Sequence, residues 1–130
     1  MTALVTAGAR RLGRAMVLYL ARRGHDVAIH YNSSAAEAEA TATDARALGV
    51  RAEIFAADLL DLDQTETLVS RVHDALGQLT VLVNNASIFD YDNLDSATRE
   101  SWDRHMGSNL RAPFVLTQAF ARQAPKAARS

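Results

Sequence analysis

The stretch Thr6-Ala7-Gly8-Ala9-Arg10-Arg11-Leu12-Gly13 combines small residues with two arginines, at the point where an apolar run gives way to a helical pattern. Small side chains there let an anion reach backbone amides at a helix N-terminus, and a pyrophosphate is the anion such a turn suits. Only Gly8 and Gly13 match the dinucleotide pattern G-x-G-x-x-G, so alone the stretch reads as readily as a structural turn. The same glycines have the spacing of a nucleoside-triphosphate loop. Arg14 and Ala15, however, stand where that loop needs a lysine and a hydroxyl.

Three more segments bear on the same chemistry. His30-Tyr31-Asn32-Ser33-Ser34 closes an apolar run about 20 residues after the glycines, where an acid would hold a ribose 2′-hydroxyl. No acid is there. Ser33 and Ser34, with Arg10 supplying positive charge from the neighbouring turn, favour a 2′-phosphate, which a carboxylate would repel. The same residues also read as the cap of the following helix, and both roles are compatible because a helix N-terminus binds phosphate. Asp58 is placed to accept from an adenine amino group, or equally to begin a helix together with Asp61 and Asp63. In Val81-Leu82-Val83-Asn84-Asn85-Ala86-Ser87 a buried-type strand opens into paired amides and small residues, leaving room for a ribose and nicotinamide or simply closing a turn. The histidines lack metal spacing. His25 and His30 read as strand-edge residues and His73 and His105 as helix-surface residues, so no metal site is expected; Trp102 reads as packing rather than ligand contact.

These segments need a scaffold, and the 130 residues supply one domain's worth. Apolar runs at Ala3–Thr6, Val27–Tyr31, Ala52–Ala57 and Leu79–Val83 alternate with helical patterns at Arg11–Arg23, Ala35–Leu48 and Leu62–Leu76. Strands alternating with helices of about a dozen residues imply parallel βαβ units, hence an α/β, Rossmann-type doubly wound sheet with strand order 3-2-1-4. Ligands then collect after Thr6 and after Val83, where the order reverses. Ser96–His105 and Met106–Arg122 read as two further helices, the second with a broad apolar face of Leu110, Phe114, Leu116, Phe120 and Ala121 around Pro113. The net charge of -1 argues against nucleic acid as a partner, no apolar stretch suits a signal peptide or a membrane span, and the lack of cysteine suits a reducing cytoplasm.

The turn Thr6 to Gly13, Ala57-Asp58-Leu59, Asn84-Asn85-Ala86-Ser87 and Asn109 together resemble the short-chain dehydrogenase/reductases, over Leu4 to about Ala121. Within that family the chain is most similar to the pteridine reductases, which carry arginine where Arg11 stands. His30-Tyr31, Ser34-Ala35-Ala36-Glu37-Ala38, Ile88-Phe89 and Gly107-Ser108-Asn109 with Ala112-Pro113 agree. The resemblance implies NADP(H) held by Thr6, Gly8, Arg10, Arg11, Leu12, Gly13, Tyr31, Asn32, Ser33, Ser34, Asp58, Leu59, Asn85, Ala86 and Ser87. It implies a small pterin-like or carbonyl substrate met by Arg11, Ser87 and Phe89, with Phe89 stacked on the ring. Asn109 would be the catalytic, helix-breaking asparagine whose backbone carbonyl holds a relay water, and the Met106–Arg122 helix part of a homotetramer interface.

Two positions depart from the family: Ala7 replaces the usual first glycine, and Ser33 a basic residue common in pteridine reductases. The family's Tyr-x-x-x-Lys, which supplies the proton, does not occur around Tyr19, Tyr31 or Tyr91. The expectation is the cofactor-binding half of an NADPH-dependent reductase that stops before its catalytic site is complete. The competing reading is a catalytically silent NADP(H)-binding or partner-binding protein.

Overall fold

The computed structural model describes residues 1–86 and 98–125. Among them, β1 (Thr2–Val5), β2 (Asp26–Tyr31), β3 (Ala52–Ala56) and β4 (Leu79–Val83) form one parallel sheet in the order β3-β2-β1-β4. Helices α1 (Arg11–Arg22), α2 (Ala35–Arg46) and α3 (Leu62–Leu76) carry the chain between them. The strand order is the one read from the sequence, and its physical cause is visible in neighbouring residues. Leu4 packs with Leu68, Val72, Leu82 and Leu116 on one face of the sheet, and Val5 with Val17, Ile29 and Ala42 on the other. A strand covered on both faces has no polar alternation.

Register brings the strand ends level. Val5 lies opposite both Ile29 and Val83, so the segments after β1, β2 and β4 leave the sheet side by side. On the described sheet β4 is an outer strand.

The two expected C-terminal helices are one rod. Helix α4 (Arg99–Met106) starts at Thr98, whose hydroxyl accepts from the Ser101 N–H in a reciprocal capping box. It runs through a π-helical turn, Gly107–Arg111, directly into α5 (Ala112–Gln123). Pro113 explains the widened turn: it has no N–H for the carbonyl of Asn109 four residues earlier, and its ring would crowd that carbonyl in a regular helix. Asn109 thus sits in a bulge within a continuous helix rather than at a break.

Three side-chain expectations are corrected. The apolar face of the last helix is two faces: Ala112, Leu116 and Phe120 are buried, whereas Leu110 and Phe114 are 63% and 62% exposed. Residues 110 and 116 lie about 240° apart around a helix, so one face cannot hold both. Trp102 is 62% exposed on the short, polar α4 and does not pack into the core. His30 is not at a sheet edge: β2 is flanked by β1 and β3, and its histidine is buried.

At the opposite end of the sheet, Asp26 fastens β2 to the residue before β3. Its carboxylate accepts from the Arg51 N–H at 2.9 Å and from Arg51 Nε at 3.0 Å. Burial pushes the carboxyl's pKa up, but the hydrogen bonds and charge of Arg51 outweigh it, and the net shift is downward. A carboxyl whose folded pKa lies below its unfolded one stabilises the fold above the unfolded value and loses that contribution as pH falls through the folded value. Asp26→Asn should therefore lower stability by about 1 kcal/mol at neutral pH, with the difference from wild type vanishing in acid. Urea unfolding at several pH values checks this; a difference independent of pH would contradict it.

Candidate functional site

Ala7 lies on the chain's path from β1 to α1. Its φ is 52°, and that of Arg11, at the start of α1, is 55°. Both lie in the left-handed region that favours glycine, and both stand where the resemblance to the short-chain reductases implies a glycine. The glycines that remain are needed for space. A Cβ on Gly13 would lie 2.0 Å from the Ala7 carbonyl oxygen and 2.8 Å from the Asn85 amide nitrogen. A Cβ on Gly8 would lie 3.0 Å from Val17.

Side chains from three strand ends hold this turn. The Thr6 hydroxyl accepts from the N–H groups of Asn85 and Ala86, both at 2.9 Å, and donates to the Val83 carbonyl at 3.3 Å. Its hydrogen-bonding capacity is thus spent on joining β1 to the end of β4. Asn85 Nδ2 donates to the Ala7 carbonyl at 3.3 Å, while the Ala7 N–H donates to His30 Nδ1 at 2.9 Å. The Gly8 N–H donates to the His30 carbonyl at 3.0 Å. Further out, the Thr41 hydroxyl, on α2, donates to the Ala9 carbonyl at 2.7 Å and accepts from Arg14, which also pairs with Asp44.

The helix N-termini around this turn differ in a way that matters for anions. Asp61 caps α3, accepting from the Gln64 N–H at 3.2 Å. At α1 and α2 the N-cap residues, Arg10 and Ser34, make no side-chain capping bond. Of the expected cap Asn32-Ser33-Ser34, Ser34 does stand at the N-cap, but its hydroxyl makes no capping bond, and Asn32 and Ser33 are exposed beside it. Arg10 lies over the first turn of α2, its guanidinium 3.6 Å from the Glu37 carboxylate with both side chains about half exposed. Arg11 and Leu12 are exposed at the start of α1, and Tyr31 packs, partly buried, against the α1–α2 layer.

Beyond β3, Asp58 uses one carboxylate oxygen to accept from the Leu60 N–H at 2.9 Å, and its own N–H donates to Gln64. It thus shapes the loop into α3, with Leu59 buried beneath. The helical rod approaches this loop at Gly107, where a Cβ would lie 3.1 Å from Leu60, and Arg111 donates to the Leu60 carbonyl at 2.8 Å. Asn109 lies in the π turn; Ser87 and Phe89 fall outside the described residues. The structure therefore brings together Thr6 to Gly13, Tyr31 to Ser34, and Asn85 and Ala86 at one end of the sheet. His30 and Thr41 were not among the expected site residues; a histidine inside an otherwise apolar run was the available signal for the first. Among the described residues no acidic, histidine or cysteine cluster could hold a metal, and no helix is long and apolar enough to cross a membrane.

A parallel sheet in this order, with its turns gathered at the carboxyl ends where the order reverses, defines a Rossmann-type α/β protein. The chain belongs to the short-chain dehydrogenase/reductase family: the short chain dehydrogenase profile matches residues 1–129. It is 38% identical over 117 residues to the short-chain dehydrogenase/reductase FrzI of Cladobotryum sp, covering 90% of this chain and 45% of that protein. Among solved structures it superposes on a short chain dehydrogenase from Burkholderia cenocepacia in complex with NADP. That match has a TM-score of 0.94 at 42% identity and covers 98% of this chain and 52% of the other. FolM alternative dihydrofolate reductase 1 from Brucella suis, also in complex with NADP, gives 0.90 at 38% identity, covering 97% and 52%. The chain thus spans about half the length of the relatives it matches.

The wedge of Gly13 under Ala7 sets a strong expectation. Gly13→Ala must displace backbone and should lose about 1–3 kcal/mol of stability, whereas Gly8→Ala presses chiefly on side-chain methyls and should lose less. Chemical denaturation of the two variants checks the order; equal losses would contradict it.

Proposed function

We propose that this chain forms the NADP(H)-binding part of a short-chain reductase. The observation that carries the reading is the pair of uncapped helix N-termini, α1 and α2, beside the left-handed turn and Arg10. Unpaired amides at a helix start attract phosphate, and two such starts on neighbouring strand ends suit the pyrophosphate and the 2′-phosphate of one dinucleotide. The turn from Gly8 to Gly13, with Arg11 and Leu12, would take the pyrophosphate. Arg10, Asn32, Ser33 and Ser34 would take the 2′-phosphate, Asp58 and Leu59 the adenine, and Asn85, Ala86 and Ser87 the nicotinamide side. The NADP complexes of the two solved relatives support this choice of cofactor.

Bound there, the reduced dinucleotide supplies a hydride to an unsaturated C=N or C=O group. The chain's own residues orient and shield. Thr6 and Asn85 keep the end of β4 against the turn, so the nicotinamide side is built on the sheet rather than on a loose loop. Arg11, Ser87 and Phe89 would meet a planar pterin-like substrate, with Phe89 stacked on the ring. The likeness to the Brucella reductase supports a pterin-like substrate, and that to a 3-oxoacyl-(acyl-carrier-protein) reductase of Staphylococcus aureus, 35% identical over 117 residues, supports a carbonyl one. Asn109, in its π turn, would hold a relay water on its backbone carbonyl. No Tyr-x-x-x-Lys lies among these 130 residues, so we assign them cofactor and substrate positioning, not proton donation. We further propose a homotetramer whose contacts include the exposed Met106, Leu110 and Phe114 of the helical rod. A chain without cysteine suits the reducing cytoplasm, where we place it.

Arg10→Glu should weaken NADPH by about ten- to hundred-fold, the worth of a charge-assisted contact, and NADH far less, as read by titrating the natural polypeptide that carries this sequence. Equal losses would confine Arg10 to the pyrophosphate. Phe89→Ala should raise KM for a pterin by the equivalent of about 1–3 kcal/mol, leaving NADPH affinity nearly intact. An unchanged KM would remove the pterin and leave a carbonyl reductase.

A further inference from the structure

The left-handed turn at Ala7 stands where the resemblance puts a glycine, and the side chain of His30, on the next strand, grips it. His30 is 3% exposed. Its two ring nitrogens face opposite ways: Nδ1 lies 2.9 Å from the Ala7 nitrogen, and Nε2 lies 2.8 Å from the Ala57 carbonyl oxygen. Because a backbone N–H can only donate, Nδ1 must be the acceptor. Nε2 therefore carries the proton and donates to Ala57, which fixes a single neutral tautomer. Burial lowers the imidazole pKa, the bond to Ala57 partly opposes this, and the charge of Arg71 on α3 adds to the lowering, so the ring stays neutral at physiological pH.

Each end of this bridge reaches a segment with a ligand role in our reading. Ala57 immediately precedes Asp58 and Leu59, and Ala7 opens the phosphate turn. The main chain of His30 takes part as well, its carbonyl accepting from the Gly8 N–H at 3.0 Å. A side chain that only filled space would leave the Ala7 N–H unpaired at a part-buried position, and an unpaired donor withdrawn from water is costly.

We propose that His30 is a positioning residue for the dinucleotide turn, its imidazole clamping Ala7 in the left-handed conformation and coupling the phosphate turn to the Ala57–Leu59 segment. The inference rests on the dinucleotide-binding reading of that turn. It assigns to β2 a specificity for turn shape: alanine is tolerated at position 7 because histidine stands at position 30. The bridge has two separable halves. Asparagine keeps an acceptor near the Nδ1 position but does not reach Ala57, glutamine reaches toward Ala57 but not Ala7, and leucine keeps neither.

The test is a titration of the natural polypeptide with NADP+, using His30→Leu and His30→Asn, each with and without Ala7→Gly. His30→Leu should weaken NADP+ about ten-fold, as expected when the roughly 1–2 kcal/mol of left-handed strain at Ala7 is no longer held, while His30→Asn should stay within about three-fold of wild type, since its acceptor is retained. In the Ala7→Gly background, where the turn needs no clamp, the loss from His30→Leu should shrink to about three-fold or less. Equal losses in the leucine and asparagine variants, or no relief from Ala7→Gly, would overturn the proposal and make His30 a packing residue. Should His30→Leu fail to fold, His30→Gln takes its place with the same expectations. Hydrogen exchange of the Ala7 amide without ligand separates this proposal from the functional reading. It should be slow in wild type and His30→Asn and at least about ten-fold faster in His30→Leu or His30→Gln. Unchanged exchange overturns the clamp even if NADP+ binds, whereas the expected exchange pattern without NADP+ binding upholds the clamp and refutes only the dinucleotide reading.

Discussion

The hydrogen bonds that grip both sides of the Ala7 peptide are the constraint on which the carboxyl end of the sheet depends. An alanine at a φ of 52° pays a conformational cost of about 1–2 kcal/mol, and it persists because the neighbouring strands over-determine it. His30 takes its N–H, Asn85 its carbonyl, and Gly13 leaves the space beneath it. With Ala7 set, Gly8 can pass close to Val17 and Ile29, and the chain enters α1 with no capping bond from the Arg10 side chain. Thr6 extends the arrangement to β4, so the two strands on either side of the reversal in strand order act as one platform.

That platform separates rigid support from ligand-accessible chemistry. Thr6, His30 and Thr41 are buried and hydrogen-bonded, Thr6 and His30 to backbone groups and Thr41 to the Ala9 carbonyl and Arg14, while Arg10, Arg11, Leu12, Asn32 and Ser33 are exposed around them. Buried polar groups are worth their desolvation only when satisfied, and each of these three has its partners within the protein. Among the described residues, the exposed arginine at position 10 pairs with Glu37 alone, in a half-exposed contact that solvent screens. A phosphate could draw that guanidinium away at little cost. The helical rod contributes differently: Pro113 widens the helix at Asn109, and Gly107 with Arg111 anchors that widened turn to the loop after β3.

Much of this was legible in the sequence because it is local. Leu62–Leu76 and Leu79–Val83 were read with the bounds the structure gives, since Asp61 caps the helix and Gly77, at a φ of 91°, ends it. The strand order followed from alternation and handedness alone. The misreadings concern residues whose roles depend on distant partners. A histidine in an apolar strand looks the same at an edge or in the interior, and the groups that define His30, at Ala7 and Ala57, lie 23 and 27 residues away. Trp102, a lone aromatic on a helix, reads as packing rather than ligand contact, but α4 buries none of its residues. The merging of two helices into one rod was signalled by Pro113 facing Asn109 four residues back, a pattern that a reading based on hydrophobic spacing passes over.

We propose that one dinucleotide spans the turn after β1, the start of α2 and the end of β4. Mapping backbone amide protection in the natural polypeptide with and without NADP+ tests it most directly. The account predicts added protection concentrated at Gly8–Gly13, Asn32–Ala36, Asp58–Leu60 and Asn84–Ala86, with the α3–α5 side of the sheet unchanged. Protection confined to the exposed face of the helical rod at Met106, Leu110 and Phe114, with none in the β1–α1 turn, would contradict it.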